Sequence, residues 1–311
     1  MMDAPALHSA SAIALGYLDD AVVAAARLRG KAAPDALHDF RVALRRLRVT
    51  VRSYVDLKDR VPKNQRRRLR KLARATNRAR DAEVQLAWFT AHAPRFTVAQ
   101  RKATSRVRAR LRAHRRAELA RMRARLDGSF ATLEHKLRRR LVAIRDEPPS
   151  GRATPFRAVV AATLVRSAAD LDSRLRAIAR GVPTSPRAMH ATRIAAKRLR
   201  YTLEPVARQV IDGPSLLGRL KQLQDRFGAL TDAHELDEVL RADQAAGAAM
   251  GELLEAEAAE SMAALQAHLK ESSEFHKQIA AAVRLLRPPR SGAPLLRDLP
   301  PRRSLGAAAR T

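Results

Sequence analysis

The stretch from His38 to Thr50 reads His-Asp-Phe-Arg-Val-Ala-Leu-Arg-Arg-Leu-Arg-Val-Thr, and a related stretch runs from His190 to Thr202. The second copy reads His-Ala-Thr-Arg-Ile-Ala-Ala-Lys-Arg-Leu-Arg-Tyr-Thr, at an offset of 152 residues (190 − 38). A long match between two distant parts of one chain is the signature of an internal repeat.

A second pair of blocks repeats at nearly the same distance. Asp81 aligns with Asp232, at an offset of 151 residues (232 − 81), and the basic segment Arg68-Leu-Arg aligns with Arg219-Leu-Lys. Two unrelated blocks at almost one offset indicate an ancient duplication of about half the chain.

Each copy of the first block has the period of an amphipathic helix. Apolar residues recur at spacings of three and four, which places them on one face directed towards a core. In the first copy these residues are Phe40, Leu44, Leu47 and Val51, and in the second they are Ala196, Leu199 and Leu203. Pro205 follows the second copy and should kink or end its helix.

The composition favours an all-α fold. Hydrophobic residues make up 46% of the 311 residues but aromatic residues only 4%, so the core must consist of Ala, Leu and Val. Ala, Leu and Arg are good helix formers, and the 12 Gly and 16 Pro are clustered. The predicted helices are 7–29, 35–58, 63–91 and 95–146, then 156–180, 187–211, 215–244 and 248–287.

These helices predict two pseudo-symmetric antiparallel four-helix bundles. The boundary between them is the helix-breaking cluster Pro148-Pro149-Ser150-Gly151. The halves are therefore assigned to 1–147 and 156–287, with a linker at 148–155. The tail 288–311 is basic and rich in proline, and we expect it to be disordered.

The charge predicts an anionic partner. With 61 Lys and Arg against 31 Asp and Glu, the formal net charge is +30, which repels itself unless a polyanion neutralises it. Basic residues recur at helical spacing on faces away from the apolar stripes. The predicted binding residues are His38, Arg41, Arg45, Arg48, Arg52, Arg70, Arg74, Arg78, His190, Arg193, Lys197, Arg200 and Lys221.

A solvated face is the alternative interpretation of any single basic stripe. Three observations favour binding: the repeat keeps a His at the head of both stripes, Arg outnumbers Lys, and acids are missing nearby. The guanidinium group suits phosphate because it donates paired hydrogen bonds. The acid-free intervals run from Asp59 to Asp81, from Glu83 to Glu118 and from Asp172 to Glu204.

His38 and His190 each follow a proline closely, so they should lie near helix N-termini, which attract anions. Phosphate contact and a structural role both stay open for them.

Asp81 and Asp232 lie in basic surroundings. They could be catalytic carboxylates, although an internal ion pair or cap that orients Arg side chains fits better.

Signals for catalysis, cofactors and metals are weak. The sequence has no Gly-rich phosphate loop, no His-Glu-x-x-His motif and no Gly-x-Ser-x-Gly elbow. There are no cysteines, no apolar run that approaches a membrane span and no signal-peptide pattern at the start. We therefore expect a cytoplasmic, non-catalytic protein without a cofactor, a metal or a membrane.

The two blocks resemble the paired signatures of the CHAD family, the conserved histidine α-helical domain. That family has a His-x-x-Arg-[Val/Ile]-x-x-[Arg/Lys]-Arg-x-Arg helix in each half, which here begins at His38 and at His190. The second copy continues into Tyr201 and Glu204 as the family pattern does. The companion block resembles Ala79-Arg-Asp and the stretch up to Asp232, so the resemblance covers about 1–287.

The resemblance implies two pseudo-symmetric helical bundles with basic residues on a central surface, polyphosphate binding and association with polyphosphate granules. Some members also carry a triphosphate tunnel domain with a Glu-x-Glu-x-Lys signature, and this sequence lacks that signature.

The sequence departs from the family pattern at two positions. Asn77 occupies a position that is usually Gly, and Asp225 corresponds to Arg74 in the other half, so the halves are unequally basic.

Two other functions compete with polyphosphate binding. A nucleic-acid-binding protein would carry the same charge, but base stacking needs aromatic residues, and the sequence has only seven Phe, three Tyr and one Trp. An enzyme acting on phosphate esters or anhydrides would need metal-binding carboxylates among the basic stripes, and these are missing.

Overall fold

A computed structural model of the chain describes residues 1–30, 35–149, 153–179, 185–271, 278 and 281. Its named elements are all helical, as predicted. They are α1 (Ala6–Arg29), α2 (Ala36–Ser53), α3 (Val55–Arg60), α4 (Lys63–Ala75), α5 (Asn77–His92), α6 (Val98–Ala103), α7 (Ser105–Arg125), α8 (Ala131–Asp146), α9 (Phe156–Ala179), α10 (Pro186–Leu203), α11 (Gly213–Arg241) and α12 (Gln244–Glu271).

The order of helices repeats along the chain. α9, α10 and α11 begin 150 residues after α1, α2 and α4 respectively (156 − 6, 186 − 36 and 213 − 63). This spacing agrees closely with the offsets between the repeated sequence blocks. α1 packs on α2 in the first half, and α9 packs on α10 in the second, so equivalent helices also have equivalent neighbours.

The amphipathic pattern of α2 determines how it packs. Phe40, Leu44 and Leu47 have no exposed surface and Val51 has 2%. The Phe40 ring meets the Phe130 ring edge to face, with centroids 5.1 Å apart. Each buried side chain of this size stabilises the fold by about 1.5–3 kcal/mol. The apolar face is thereby fixed on the core, and the arginines of α2 lie on its other faces.

Two predicted helices are interrupted. The helix expected at 63–91 is divided at Thr76, where the buried hydroxyl donates a hydrogen bond to the carbonyl of Ala73 at 2.7 Å. Such a bond competes with the regular helical ladder. The helix expected at 35–58 is divided at Tyr54, whose backbone is extended, with φ −91° and ψ 106°.

A third predicted helix of the first half is interrupted as well. The helix expected at 95–146 contains a break at Thr104 and a π-helical turn over Leu126–Phe130. As predicted, α10 stops just before Pro205 and continues as a 3-10 helix over Glu204–Gln209. The tail 288–311 and most of 272–287 lie outside the described residues, and the assignment of domains stays a prediction.

Two apolar cores hold the described helices together, and each includes residues from both halves. The larger core joins α1, α2 and α8 to α9, α10 and α11. The smaller one packs Phe89 and Leu111 of the first half with Leu236 and Met250 of the second. The finer prediction of two separate four-helix bundles is therefore not confirmed by this packing.

The helix α1 is apolar and long. Contrary to the expectation from the sequence, this one helix among the described residues is long and apolar enough to cross a membrane, judged by length and composition. The core helix of a soluble protein passes the same test, and α1 buries Ala14, Leu18 and Ala21 without exposed surface.

Candidate functional site

α2 and α10, which carry the repeated basic blocks, contact each other across the two halves. Arg46 of α2 makes a forked hydrogen-bonded ion pair with Glu204, just beyond α10, with Nε and Oε2 3.1 Å apart. Arg45 donates a hydrogen bond from Nη1 to the hydroxyl of Tyr201 at 3.4 Å. The guanidinium of Arg200 lies 4.7 Å from the centre of the Tyr201 ring, a cation–π contact. The pairing of these helices therefore brings the two stripes together.

Lys197 marks the point where the stripes meet. Burial, together with the like charges of Arg193, Arg45 and Arg41, lowers the pKa of Lys197 to about 7. The carboxylate of Asp232 raises the pKa of Lys197, but by less than burial and the arginines lower it. Burial is the largest cause of this shift, and the like charges of the neighbouring arginines add to it. Cations from both halves thus share one small volume.

Arg41 is held at the break between α4 and α5. Its Nη1 donates a hydrogen bond to the carbonyl of Thr76 at 3.0 Å. Burial, followed by the charge of Arg45, lowers the pKa of Arg41 to about 10. A guanidinium with this pKa is still charged at neutral pH, so it keeps its ability to bind an anion.

α4 extends the basic surface beyond α2. Burial lowers the pKa of Arg48, and the neighbouring charges that lower it further come from Arg45, Arg52, Arg74 and Arg70. Arg70 and Arg74 belong to α4, which packs on α2. We call the surface formed by α2, α4 and α10 the shared basic surface. Its residues are Arg41, Arg45, Arg48, Arg52, Arg70, Arg74, Arg193, Lys197 and Arg200.

Two arginines on this surface have donors without a partner in the described part of the chain. The Nε atoms of Arg193 and Arg200 are buried and have no hydrogen-bond partner among the described residues. A buried donor without a partner is costly, by about 1–3 kcal/mol. These two donors are available to an acceptor from outside the chain, such as a water molecule or an anion.

Acidic residues gather at one end of the shared basic surface. Burial raises the pKa values of Asp81, Asp232 and Glu235. The charge of Asp232 raises the pKa of Asp81 further, and both aspartates raise that of Glu235. Arg193 lies 3.9 Å from Asp232. This arrangement matches the interpretation of the aspartates as internal partners of arginines.

Glu235 and Arg80, which lie at this end, are not among the site residues predicted from the sequence. Arg80 acts on the pKa values of His38, Asp81 and Asp232, so it lies close to all three. Glu235 follows Asp232 by three residues on α11, a spacing that places both on one helix face. That spacing was available in the sequence and could have identified it.

Three of the predicted binding residues are placed differently from the rest. Arg78 follows the break at Thr76, so it belongs to α5 and lies 3.9 Å from Glu118 instead of continuing the row of α4. Lys221 is more than half exposed on α11 and lies 3.6 Å from Asp225. His190 is exposed near the start of α10.

His38 also lies near the start of its helix. It is the third residue of α2 and is exposed at the surface. Partial burial lowers its imidazole pKa, and the charges of Arg80 and Arg41 lower it further. The neutral form is therefore favoured near neutral pH, as expected beside several arginines.

Comparison with known proteins identifies the family. The model of the CHAD domain matches residues 12–241, which include both basic blocks and α4. This chain belongs to the CHAD family. Members of this family are associated in general with polyphosphate binding. No curated protein matches the chain.

Two solved structures have the same fold. The crystal structure of the CHAD domain from the plant Ricinus communis superposes with a TM-score of 0.66 at 20% identity, covering 87% of this chain and 93% of that one. PptA from Streptomyces chartreusis gives a TM-score of 0.64 at 16% identity, covering 86% and 99%. At such low identities the similarity demonstrates a shared fold.

Proposed function

We propose that the protein binds inorganic polyphosphate on the shared basic surface and catalyses no reaction. The observation that carries the proposal is the meeting of Arg41 and Arg45 with Arg193 and Lys197, supplied by two different halves of the chain. Packing alone gives no reason to bury like charges together. A bound polyanion does, because it neutralises all of them at once.

A flexible chain of phosphates suits this surface better than a stiff duplex. Basic residues three and four apart on a helix are about 5–6 Å apart, and two helices present such rows side by side. Arginine forks can bind successive phosphate oxygens in pairs. The unsatisfied Nε atoms of Arg193 and Arg200 add donors for the same oxygens.

Base stacking has little support at this surface. Tyr201, the aromatic residue in contact with its arginines, is only 2% exposed. Trp88 lies at the smaller core, where its Nε1 donates to the Glu257 carboxylate at 2.8 Å. Proteins that bind single-stranded nucleic acid use exposed aromatic rings as stacking platforms.

Competition binding tests the proposal most directly. The full-length protein would be saturated with fluorescent polyphosphate at moderate salt and titrated with polyphosphate, RNA and duplex DNA at equal phosphate concentration. We expect unlabelled polyphosphate to displace the probe at least tenfold more effectively than either nucleic acid. Equal displacement by RNA or DNA would favour the nucleic-acid alternative.

Two further parts of the proposal need separate measurements. Protein at a concentration equal to that of the polyphosphate chains should release no inorganic phosphate from them over hours, in the presence or absence of Mg²⁺. A fluorescent fusion should colocalise with cytoplasmic polyphosphate granules, and reversal of the arginines of α2 should disperse it. We also propose that the pseudo-symmetric halves bind unequally, because α11 carries Asp225 where α4 carries Arg74.

A further inference from the structure

We propose that the cavity enclosed by α4, α7 and α8 binds a small organic phosphate of the nucleotide class. The cavity has a volume of about 800 Å³, within the range of about 300–1,000 Å³ that is usual for small-molecule sites. It is lined by residues of the first half, from Arg68 to Leu133. Arg74 is one of them, so the cavity adjoins the shared basic surface at α4.

The rim of the cavity is cationic. The exposed arc of α4 carries two basic rows, and the row with Arg70 faces Arg48 on the shared basic surface. The other row, with Arg68 and Lys71, lines the cavity together with Arg74 of the first row and Arg78 of α5. Charges on several helices at one opening can bind a compact group of phosphates.

The walls suit an organic ligand more than a bare phosphate chain. Ala75 contributes partly exposed apolar surface, while Leu72 and Leu133 line the cavity with only 5% and 1% of their surface exposed. Apolar surface gains nothing from contact with an inorganic anion, and Thr132 contributes a hydroxyl. Glu118 also lines the cavity, although its side chain is only 2% exposed. Its carboxylate would repel a phosphate but could accept a hydrogen bond from a hydroxyl or amino group.

Glu118 is held in place by arginines. Its Oε1 lies 2.5 Å from Nη1 of Arg121 and 3.9 Å from Nη1 of Arg78. The cation at the rim and the acceptor in the wall are therefore linked within one cluster. A nucleotide offers both complementary groups, phosphates for Arg78 and hydrogen-bond donors for Glu118.

The backbone beside the cavity is irregular. A π-helical turn over Leu126–Phe130 joins α7 to α8, and its residues Gly128 and Ser129 line the cavity. Isolated π-helical turns are rare and are frequently found at functional sites. This observation is independent of the charges and points to the same place.

Calorimetry with ATP as the probe tests the proposal on the full-length protein. At 0.15 M salt, where charges are screened beyond about 8 Å, ATP should bind with a stoichiometry of one. Adenosine and inorganic tripolyphosphate should each bind at least tenfold more weakly, because each lacks part of the complementary chemistry. Tripolyphosphate that binds as tightly as ATP would overturn the proposal and make the cavity part of the polyphosphate site.

Matched variants separate the cavity from general attraction to a basic protein. Lys71→Ala combined with Arg78→Ala should weaken ATP binding at least tenfold. Arg112→Ala combined with Arg116→Ala removes the same charge from an exposed part of α7 and should leave ATP binding unchanged. Equal losses in both double variants would refute the assignment.

The conservative change Glu118→Gln tests the role of Glu118 in the cavity wall. It should reduce the preference for ATP over tripolyphosphate, because it removes repulsion of phosphate and weakens acceptance of a ligand donor. An unchanged preference would contradict the role given to Glu118. Lys71, Arg78 and Glu118 lie outside the shared basic surface, so these variants leave all of its residues, including Arg74, unchanged.

Discussion

Binding of polyphosphate should be coupled to protonation of Lys197, and the affinity should therefore fall as the pH rises. In the unliganded protein the pKa of this ammonium is about 7, against an ordinary value of 10.5. A bound polyanion replaces the repulsion from Arg193, Arg45 and Arg41 by attraction, so it must raise this pKa. The protein then takes up a proton on binding at any pH between the two values.

The magnitude follows from the size of the shift. Each unit by which the ligand raises the pKa corresponds to a tenfold gain in affinity, or about 1.36 kcal/mol. If binding restores the pKa of Lys197 to about 9, the affinity at pH 9 should be about 50-fold weaker than at pH 6. Near pH 8 the slope of log affinity against pH should approach about −1, since one proton is taken up.

Isothermal titration calorimetry with long-chain polyphosphate provides the measurement. Titrations at several pH values, each in two buffers that differ in ionisation enthalpy, give both the affinity and the number of protons taken up. Long chains are preferred because few of their phosphates are terminal groups that titrate in this range. We expect proton uptake close to one at pH 8.

Lys197→Arg is the matched control, because a guanidinium stays charged throughout this range. It retains His38 and His190, so its difference from the natural sequence isolates the contribution of Lys197. The variant should show a flatter pH dependence and less proton uptake at pH 8. Identical pH profiles for the two proteins would refute the reasoning.

Four further outcomes are expected. Replacing Arg41, Arg45 and Arg48 of α2 by Glu, or the equivalent residues of α10, should weaken polyphosphate binding more than about 100-fold, since each charge-assisted hydrogen bond contributes about 1.5–3 kcal/mol. The helical circular dichroism should be unchanged. Retained affinity in both variants would contradict the site. A plot of log affinity against log salt should have a slope of about −4 if six phosphates are neutralised, whereas a slope near −1 would indicate a single contact. Saturating polyphosphate should raise the melting temperature by several degrees, provided that the native state binds more tightly than the unfolded chain; an unmoved or lowered midpoint would exclude a preorganised site. Without ligand, the free energy of unfolding measured in urea should rise between pH 7 and 9, because the depressed pKa of Lys197 means that the unfolded state binds more protons; in Lys197→Met this rise should shrink.

The sequence predicted the helices and the stripes because both depend on local spacing. Phe40 and Leu44 recur at the helical period, and they are buried as expected. The prediction that Arg78 continues the basic row of Arg70 and Arg74 was wrong, because it assumed one helix from 63 to 91. The hydroxyl of Thr76 bonds to a backbone carbonyl and the helix breaks there, so Arg74 and Arg78 lie on different helices.

The meeting of the two stripes could not be derived from local spacing. The repeat indicates that His38 and His190 begin equivalent helices, but equivalence does not say that these helices touch. Their contact depends on tertiary packing, including the ion pair of Arg46 with Glu204. Burial of Lys197 is a consequence of that contact, which is why its lowered pKa had no counterpart in the sequence.

The distribution of acidic residues indicates where on the shared basic surface a bound polyanion is held most tightly. At the end with Arg41 and Arg193, the carboxylates of Asp81 and Asp232 offset part of the positive charge. Around Arg48, the four charged groups that most affect its pKa are all arginines. Charge is therefore least compensated over α2 and α4, and a polyanion should be held most tightly there. The contact with α10 then adds Lys197, whose protonation depends on the ligand, so that binding and proton uptake are two results of the same packing of like charges.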